Sequence, residues 1–342
     1  MDQSRGILLV RLKSLGDILF TLPAVHAVRS AFPQGRVAFL VSKEYAPLLQ
    51  GFRDVNQVIS LDRSQFRGLN PRALFSELIS LIHQLREGKF SVAIDFQGYG
   101  ETAFLVRCSA APERWGNVQR LTRRWAYTRV VPRNDNVHPI DSNLALLRQA
   151  GLQLGPPRNE FVLPQFGLLA GERFFLERGL RPERPTLFIQ PFTSAAPKNW
   201  PLENFLAIAS HWQKRGMQIL FGGGPADRGA LEPVCQAGFH VSAGVPLLTS
   251  AGLANLSALI VGGDTGLVHL AIAMNKRVLM LIGSNTPGST HPFEHPDWTV
   301  LPRSGKPLST ISVETVNEAC FKALSEMGVN PAKSETTTKA LN

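Results

Sequence analysis

Residues 260–274 read Ile-Val-Gly-Gly-Asp-Thr-Gly-Leu-Val-His-Leu-Ala-Ile-Ala-Met. The apolar run at 259–261 is typical of the end of a buried strand, and Gly262 and Gly263 permit a sharp turn after it. Asp264 and Thr265 then occupy the N-cap region of a short, apolar helix. The first amides of such a helix are unpaired and carry the positive end of its dipole. The stretch therefore predicts a strand–turn–helix unit that is either an anion and hydroxyl site or a structural N-cap.

Strand-like and helix-like segments alternate on both sides of this unit. Continuous apolar runs predict strands at 7–12, 37–41, 58–61 and 90–95, and again at 186–190, 218–221, 259–261 and 278–282. Helical spacing of apolar residues predicts helices from Ile18 to Phe32, at 72–86 and at 203–214. This alternation predicts an α/β protein with two Rossmann-like, doubly wound parallel sheets. Ligands bind beyond the carboxyl ends of such strands, so a cleft between two domains is expected.

A proline-rich stretch separates the two alternating halves. We predict an N-terminal domain at 1–160, a linker region at 161–184 with a short helix at 168–178, and a C-terminal domain at 185–330. The polar, Thr-rich residues 331–342 are expected to be a disordered tail.

The composition narrows the class of protein. The 342 residues are 44% hydrophobic, and no uncharged apolar run approaches the ~20 residues that span a bilayer. Arg11 interrupts the first apolar stretch, which argues against a signal peptide. Three widely spaced cysteines predict neither a disulfide framework nor a zinc site, which favours a cytoplasmic location.

The net charge of +10 predicts an acidic partner. Seven arginines lie within residues 107–133, interleaved with Trp115, Trp125 and Tyr127. Such a cluster fits a nucleic-acid patch, a surface for a phosphorylated lipid headgroup, or a solvated basic face. No recognised nucleic-acid module surrounds it, so nucleic acid is not expected as a partner.

Polar residues follow the first strand in Lys13-Ser14-Leu15-Gly16-Asp17. Asp17 lies at a carboxyl strand end, where apolar surroundings would raise its pKa toward that of a general base. A helix-capping aspartate is the alternative. The single glycine excludes a dinucleotide fingerprint, which requires three.

A second polar segment follows the strand at 186–190. Thr193 and Ser194 supply hydroxyl groups and Lys198 supplies a mobile cation before a helix, a combination that suits a diphosphate. Trp200 is expected to pack in the core.

Two further strand ends carry weaker signals. Gly223 lies in a Gly-Gly-Gly turn through which backbone can approach a ligand, although a plain turn is the default. Asp95 and Gln97 offer a carboxylate and an amide that suit hydroxyl recognition, or a polar turn.

The histidines do not predict a metal site. They are scattered, and no HxH or HExxH pattern is present. His269 lies about one turn beyond Asp264 in the apolar helix, where a ligand contact and a satisfied core histidine are both open. Neither a metal nor a cofactor is expected.

Taken together these motifs resemble the lipopolysaccharide heptosyltransferases of glycosyltransferase family 9. The resemblance rests on four segments that occur in the family's order: Val10–Asp17 with Leu22-Pro23-Ala24, Asp95–Gly98, Lys198–Pro201 and Asp264–Leu270. One segment departs from it, because Gly283-Ser284-Asn285-Thr286-Pro287 stands where the family usually has Gly-x-Thr-Asp-Pro.

The resemblance implies a GT-B fold and an inverting, metal-independent transfer of heptose from ADP-heptose to a lipopolysaccharide inner-core acceptor. It implies that Asp17 is the general base and that Lys198 steadies the departing diphosphate. Thr265, Gly266 and Leu267 would hold phosphate through their backbone, and Asp264 and His269 would face the donor. Thr193, Ser194 and Gly223 are assigned to the donor site by the motifs above; Lys13, Ser14, Asp95 and Gln97 are assigned to the acceptor side.

The implied partners are a nucleotide-sugar donor and an anionic lipid-linked oligosaccharide, which the basic cluster could attract. Peripheral contact with the cytoplasmic face of the inner membrane is expected. The alternatives are a family member with another nucleotide sugar or acceptor, and a non-catalytic GT-B scaffold protein.

Overall fold

Parallel strands form where the sequence carries continuous apolar runs. The computed structural model describes residues 6–63, 71–283, 286 and 288–329, without the side chains of residues 71–74. The chain divides after Val162 into two units, which lie within residues 1–162 and 163–342. The predicted tail at 331–342 lies outside the described residues. Among the described residues, no helix is long and apolar enough to cross a bilayer.

The first unit alternates strands with helices along the chain. Its described strands are β1 (Gly6–Val10), β2 (Arg36–Ser42), β3 (Gln57–Leu61), β4 (Val92–Asp95), β5 (Glu113–Val118) and β6 (Arg129–Pro132). Its described helices are α1 (Leu15–Leu19), α2 (Leu22–Ala31), α3 (Pro71–Glu87), α4 (Gly100–Cys108) and α5 (Pro139–Gln149). Short 3-10 helices occupy Lys43–Gly51 and Leu121–Ala126.

The strands of the first unit form a parallel sheet in the order β3-β2-β1-β4-β5-β6. The order reverses between β1 and β4, which makes their carboxyl ends the switch point where ligands bind in such sheets. Val10 at the end of β1 is in register with Asp95 at the end of β4. The segments that follow Val10 and Asp95 therefore leave the sheet side by side.

The second unit has the same alternation. Its described strands are β7 (Thr186–Gln190), β8 (Gln218–Phe221), β9 (His240–Val241), β10 (Leu259–Gly262), β11 (Val278–Leu281) and β12 (Thr299–Val300). Its described helices are α6 (Gln165–Glu177), α7 (Leu202–Gln213), α8 (Glu232–Gln236), α9 (Leu247–Leu256), α10 (Gly266–Ala273) and α11 (Val313–Glu326).

The second sheet is also parallel, in the order β12-β11-β10-β7-β8-β9. Its switch point lies between β7 and β10, where Gln190 and Gly262 are in register at the strand ends. Helices cover both faces of this sheet. Leu187 and Ile189 pack into one apolar cluster and Phe188 into another, all without exposed surface. The α/β, doubly wound fold class predicted from the alternation is confirmed.

The eight predicted strands are present, with ends displaced by at most two residues. β5, β6, β9 and β12 were not predicted, because β5 contains charged and polar residues and β9 and β12 are only two residues long. The helix predicted from Ile18 to Phe32 is two helices, α1 and α2, separated at Phe20 and Thr21. The short helix predicted at 168–178 within the linker is present as α6, which begins three residues earlier and packs closely on α9, with Gly171 against Gly252.

Gly98 makes the turn after β4 possible, and we predict that Gly98→Ala strongly destabilises the first unit. Its φ of +64° lies in the left-handed region, and a Cβ atom would lie 1.9 Å from the Asn117 carbonyl oxygen. The left-handed backbone costs about 1–2 kcal/mol for a residue with Cβ, and relieving the clash adds a comparable amount. We expect a loss of about 3 kcal/mol or more in the free energy of unfolding, measured by urea denaturation.

Gly100→Ala is the matched control, because nothing lies within 4 Å of the added Cβ atom. This variant is expected to remain within about 1 kcal/mol of the parent protein. Equal stability of the two variants would show that the turn at Gly98 relaxes without cost.

Candidate functional site

The first candidate site lies at the switch point of the first sheet and is organised around Arg11. This side chain is 5% exposed although it carries a full charge. Its guanidinium group donates to the Phe96 carbonyl at 2.8 Å and to the Lys13 carbonyl at 2.9 Å, and it pairs with Asp17 Oδ2 at 2.6 Å. A buried charge is tolerated only when its donors are satisfied in this way. Arg11 therefore ties together both segments that leave the sheet at β1 and β4.

Asp17 is held at the first turn of α1. Its Oδ2 atom accepts hydrogen bonds from the Ser14 amide at 3.2 Å and the Ser14 hydroxyl at 3.1 Å, in addition to the pair with Arg11. Burial works to raise the pKa of Asp17, but the charge of Arg11 and the hydrogen bonds from Ser14 outweigh it and lower the pKa below its ordinary value. The expected rise in this pKa is therefore wrong. The apolar surroundings are present, but the buried guanidinium group controls the ionisation.

Asp95 and Gln97 form a buried network behind this loop. Asp95 Oδ1 accepts from the amides of Gln97 at 2.8 Å and Gly98 at 2.9 Å, and its Oδ2 accepts from the Tyr127 hydroxyl at 2.6 Å. Gln97 Oε1 accepts from the amides of Leu12 at 2.9 Å and Lys13 at 3.3 Å. Burial raises the pKa of Asp95 despite these hydrogen bonds.

This network shapes the loop more directly than it offers a binding surface. Asp95 is 0% exposed and Gln97 is 1% exposed, whereas Lys13 and Ser14 are exposed at the surface of the same loop. Contact of all four with an acceptor stays a prediction. For Asp95 and Gln97, such contact would require the loop to open.

The second candidate site lies at the switch point of the second sheet. Gly263 lets the segments after β7 and β10 approach each other, since a Cβ atom there would lie 2.6 Å from Thr193 Cγ2 and 3.4 Å from the Lys198 carbonyl oxygen. Close packing in this region thus requires the glycine that the sequence places before Asp264. Residues from 193–198 and from 264–269 are brought together as a result.

Asp264 is the centre of this cluster. Its Oδ2 atom accepts from Lys198 Nζ at 2.9 Å, and its Oδ1 atom is 2.9 Å from His269 Nε2. Thr290 also hydrogen-bonds to the carboxylate. Burial opposes the ionised form, but His269, Lys198 and Thr290 together hold the pKa of Asp264 well below its ordinary range. The group is therefore a carboxylate at neutral pH.

The mouth of α10 presents open backbone donors next to this cluster. Thr265 is the N-cap, and its hydroxyl accepts from the Val268 amide at 3.3 Å. The His269 amide is bonded to the Thr265 carbonyl at 3.1 Å. The amides of Gly266 and Leu267 have no bonding partner among the described residues and lie at the positive end of the helix dipole. The structural N-cap is therefore present, and binding of an anion at the Gly266 and Leu267 amides stays a prediction.

The remaining predicted donor residues divide into loop-building and exposed groups. The Thr193 hydroxyl and amide both approach Asn199 Oδ1 at 2.8 Å, which closes the loop before Lys198. Ser194 is exposed, and the Lys198 side chain is 57% exposed. Gly223 packs tightly, since a Cβ atom there would lie 2.7 Å from Leu231 Cδ1.

Trp200 is buried in the core as predicted. It is 2% exposed, it donates from Nε1 to the Ile311 carbonyl at 3.0 Å, and its ring lies edge-on to Phe205. This side chain fixes the start of α7 behind the Lys198 loop.

Sequence reasoning missed three residues of these sites: Arg11, Tyr127 and Thr290. Arg11 had a usable signal, because a charge directly after a fully apolar strand must find buried partners. Tyr127 is 32 residues from Asp95 and Thr290 is 26 residues from Asp264 in the sequence, and no local pattern links either pair. Among the described residues, no group of three or more His, Cys, Asp or Glu side chains is placed to hold a metal ion.

The chain is similar to known heptosyltransferases in sequence and in fold. The chain is 28% identical over 293 residues to lipopolysaccharide heptosyltransferase 1 of Pseudomonas aeruginosa, covering 83% of this chain and 80% of that protein. Among solved structures, it resembles a glycosyl transferase family 9 protein from Veillonella parvula with a TM-score of 0.85 at 20% identity, covering 95% and 99% of the two chains. It also resembles the E. coli heptosyltransferase WaaC with ADP-2-deoxy-2-fluoro heptose, with a TM-score of 0.74 at 20% identity and coverage of 93% and 99%.

The family model for glycosyltransferase family 9 (heptosyltransferase) matches residues 78–313, a span that contains parts of both units and the Lys198–Asp264 cluster. The observed fold, with two parallel six-stranded sheets, is consistent with this family match. The chain is a glycosyltransferase and belongs to glycosyltransferase family 9.

Proposed function

We propose that this glycosyltransferase transfers a heptose from ADP-heptose to a lipopolysaccharide inner-core acceptor, with inversion at the anomeric carbon and without a metal ion. The observation that carries the proposal is the Lys198 ammonium group held by Asp264 beside the open amides of Gly266 and Leu267. Relatives named as lipopolysaccharide heptosyltransferases and a similar fold solved with an ADP-heptose analogue support this choice of donor.

The second unit is proposed to bind the donor diphosphate. The amides of Gly266 and Leu267 would donate to phosphate oxygens, as helix N-termini commonly do. Lys198 is mostly exposed and flexible, so it can leave Asp264 for the diphosphate as negative charge develops on the leaving group. Fixed donors and a mobile cation together do the work that a divalent metal ion performs in other transferases.

Asp264 is proposed to position this cation and to face the donor sugar together with His269. Its two oxygen atoms engage Lys198 and His269 separately, so the three groups hold one arrangement before the donor arrives. Thr193, Ser194, Thr265 and Gly223 complete the proposed donor side.

The first unit is proposed to bind the acceptor. Asp17 would accept the proton of the attacking hydroxyl group, while Lys13 and Ser14 contact the acceptor at the exposed surface of the loop. Asp95 and Gln97 would support this surface from beneath. A peripheral position at the cytoplasmic face of the inner membrane is part of the same proposal.

A transfer assay tests the proposal as a whole. ADP-heptose is paired with lipid cores truncated at successive steps, and a panel of other nucleotide sugars is run in parallel. We expect transfer from ADP-heptose to one inner-core acceptor. If the protein used only another nucleotide sugar, the proposed donor would be wrong. If no nucleotide sugar supported transfer or stabilised the protein thermally, a non-catalytic scaffold would be favoured.

We predict that Asp17→Asn reduces turnover by a factor of roughly 10²–10⁴, because the acceptor hydroxyl group loses its general base. The affinity for ADP-heptose, measured by calorimetry, is expected to change less than about threefold. Unchanged turnover would remove Asp17 from the proposed mechanism. Asp54→Asn is a matched control, since this carboxylate pairs with His26 elsewhere in the first unit.

We predict that Lys198→Ala lowers kcat by a factor of roughly 10²–10³, because one preorganised stabiliser of the leaving diphosphate is lost. Steady-state kinetics with saturating acceptor measures this effect. Lys214→Ala, on the far end of α7, is the control for loss of a surface cation. Addition of EDTA is expected to leave the parent enzyme active, and strict dependence on added Mg²⁺ would contradict the metal-free scheme.

We predict that Arg11→Gln shifts the acid limb of the pH–rate profile to higher pH. Asp17 must be ionised to act as a base, and Arg11 lowers its pKa, so parent activity should survive below the ordinary aspartate value of about 3.9 if the fold does. Loss of the guanidinium charge leaves only the Ser14 hydrogen bonds to oppose burial and therefore raises the pKa of Asp17.

Arg11→Lys retains a positive charge and serves as the control for Arg11→Gln. We expect its acid limb to lie between those of the parent and Arg11→Gln. Identical acid limbs in all three proteins would mean that Asp17 does not control the profile. The same pair contributes to stability above the unfolded-state pKa of Asp17, and this contribution is lost as the pH falls through the lower folded-state value.

A further inference from the structure

An apolar and basic surface lies on the first unit. Five large apolar side chains are between 41% and 64% exposed on α3, on α4 and on the 3-10 helix Leu121–Ala126. They are Phe75, Ile79, Phe104, Leu121 and Trp125. We call this set, with the exposed arginines described below, the Trp125 surface.

The three elements that carry the Trp125 surface pack on one another. Helix α4 packs against both α3 and the 3-10 helix. Arg86 near the end of α3 donates to the Cys108 carbonyl at 3.1 Å at the end of α4. Arg123 donates to the Gly98 carbonyl at 2.6 Å and lies over the Tyr99 ring, which ties the 3-10 helix to the start of α4. The three elements that carry the exposed apolar side chains are therefore connected to one another.

The arginines of the cluster have two different roles. Arg114, Arg123 and Arg129 donate to backbone carbonyl groups within the unit and so build its structure. Arg107, Arg120 and Arg124 are exposed and make no ion pair or side-chain hydrogen bond with the described residues. Residues 98–133 contain seven arginines and two glutamates, so the charge that the surface presents is strongly positive.

Exposed apolar side chains also occur outside this surface, on α6 and on α11. Phe321 on α11 is 61% exposed, as is Leu121, and it lies along one groove with Arg215, Glu314 and Glu318. The Trp125 surface differs from both in its charge, because residues 165–178 carry two arginines and two glutamates and residues 313–326 carry one lysine and three glutamates, whereas residues 98–133 carry seven arginines and two glutamates.

We propose that the Trp125 surface docks the protein on an anionic phospholipid bilayer. Each arginine near an anionic membrane surface increases the binding constant for that membrane roughly fivefold. Aromatic and aliphatic side chains of a basic face bury in the headgroup region, and Trp is favoured there. Nucleic acid would use the arginines and the Trp ring, but it gives no reason for exposed Ile79 and Leu121 beside them.

This inference rests on the proposed function for its purpose, because a lipid-linked acceptor would be presented at such a membrane. It names the part of the protein that meets the lipid, which the acceptor-binding loop at 13–17 does not specify. Binding to lipid is measured separately from transfer, so the two proposals can fail independently.

Sedimentation with vesicles tests the docking surface. The full-length parent protein is expected to bind vesicles of phosphatidylglycerol and phosphatidylcholine, to bind pure phosphatidylcholine at least tenfold more weakly, and to be released by salt. The double variant Arg120→Gln/Arg124→Gln should bind anionic vesicles about 30-fold more weakly, from two arginine contributions. The double variant Leu121→Ser/Trp125→Ser should bind anionic vesicles at least tenfold more weakly than the parent, and salt should still release it.

Phe321→Ser is the matched control, because it removes an equally exposed apolar side chain outside the surface. It is expected to bind as the parent does. Thermal melts confirm folding of each variant. Parent-like vesicle binding by both double variants would overturn the proposal, as would equal binding of the parent to anionic and neutral vesicles. Binding to duplex DNA that is lost only in the arginine variant, with no vesicle binding, would assign the surface to nucleic acid.

Transfer to an acyl-free, soluble core oligosaccharide separates this result from the proposed function. The surface variants are expected to retain parent turnover on the soluble acceptor and to lose turnover on the vesicle-bound acceptor. Lost vesicle binding with no transfer by the parent on either acceptor would support the docking surface and refute the proposed activity. If the surface variants transferred to both acceptors as fast as the parent does, the proposed activity would be supported and the docking surface refuted.

Discussion

The ion pair between the buried Arg11 and the partly exposed Asp17 is the interaction on which the first site depends. A guanidinium group with 5% exposure must be compensated on all sides, and it is, by two backbone carbonyl groups and a carboxylate. These partners belong to the segments after β1 and β4, the strands that flank the switch point. Removing the charge would therefore disturb the shape of the loop as well as the ionisation of Asp17. One side chain links the topology of the sheet to the chemistry expected at its edge.

The second unit also has an ion pair at the switch point of its sheet, but the cation is a different residue with different exposure. Its switch point also places a carboxylate, Asp264, between two strand ends, and that carboxylate is paired with a cation. Lys198 is 57% exposed on its side chain, whereas Arg11 is almost completely enclosed. A compact ammonium group on a flexible stem can exchange partners, while a planar guanidinium group with several fixed acceptors cannot readily do so. The difference fits a permanent clamp in one unit and a movable cation in the other.

The sequence was sufficient for the fold class because both sheets are parallel and their central strands are buried on both faces, which leaves continuous apolar runs. It failed at β5, where Arg114 and Asn117 interrupt the run and hydrogen-bond within the unit. It identified the segments containing Lys198, Asp264 and His269, and the structure brings these side chains together. It could not supply the sign of the pKa shift of Asp17. That sign depends on a contact six residues back along the chain and on how completely water is removed from it.

A lowered pKa makes Asp17 a weaker base, yet it also makes the group fully ionised at neutral pH. A carboxylate with the raised pKa first expected would be a better proton acceptor, but part of the population would already carry the proton. In the proposed transfer, positive charge develops on the sugar ring as the diphosphate departs, and the attacking hydroxyl group becomes acidic as its bond to carbon forms. A weak base then suffices, provided that it is always deprotonated and correctly placed. Arg11 supplies both conditions, since the same guanidinium group that lowers the pKa also fixes the position of the carboxylate.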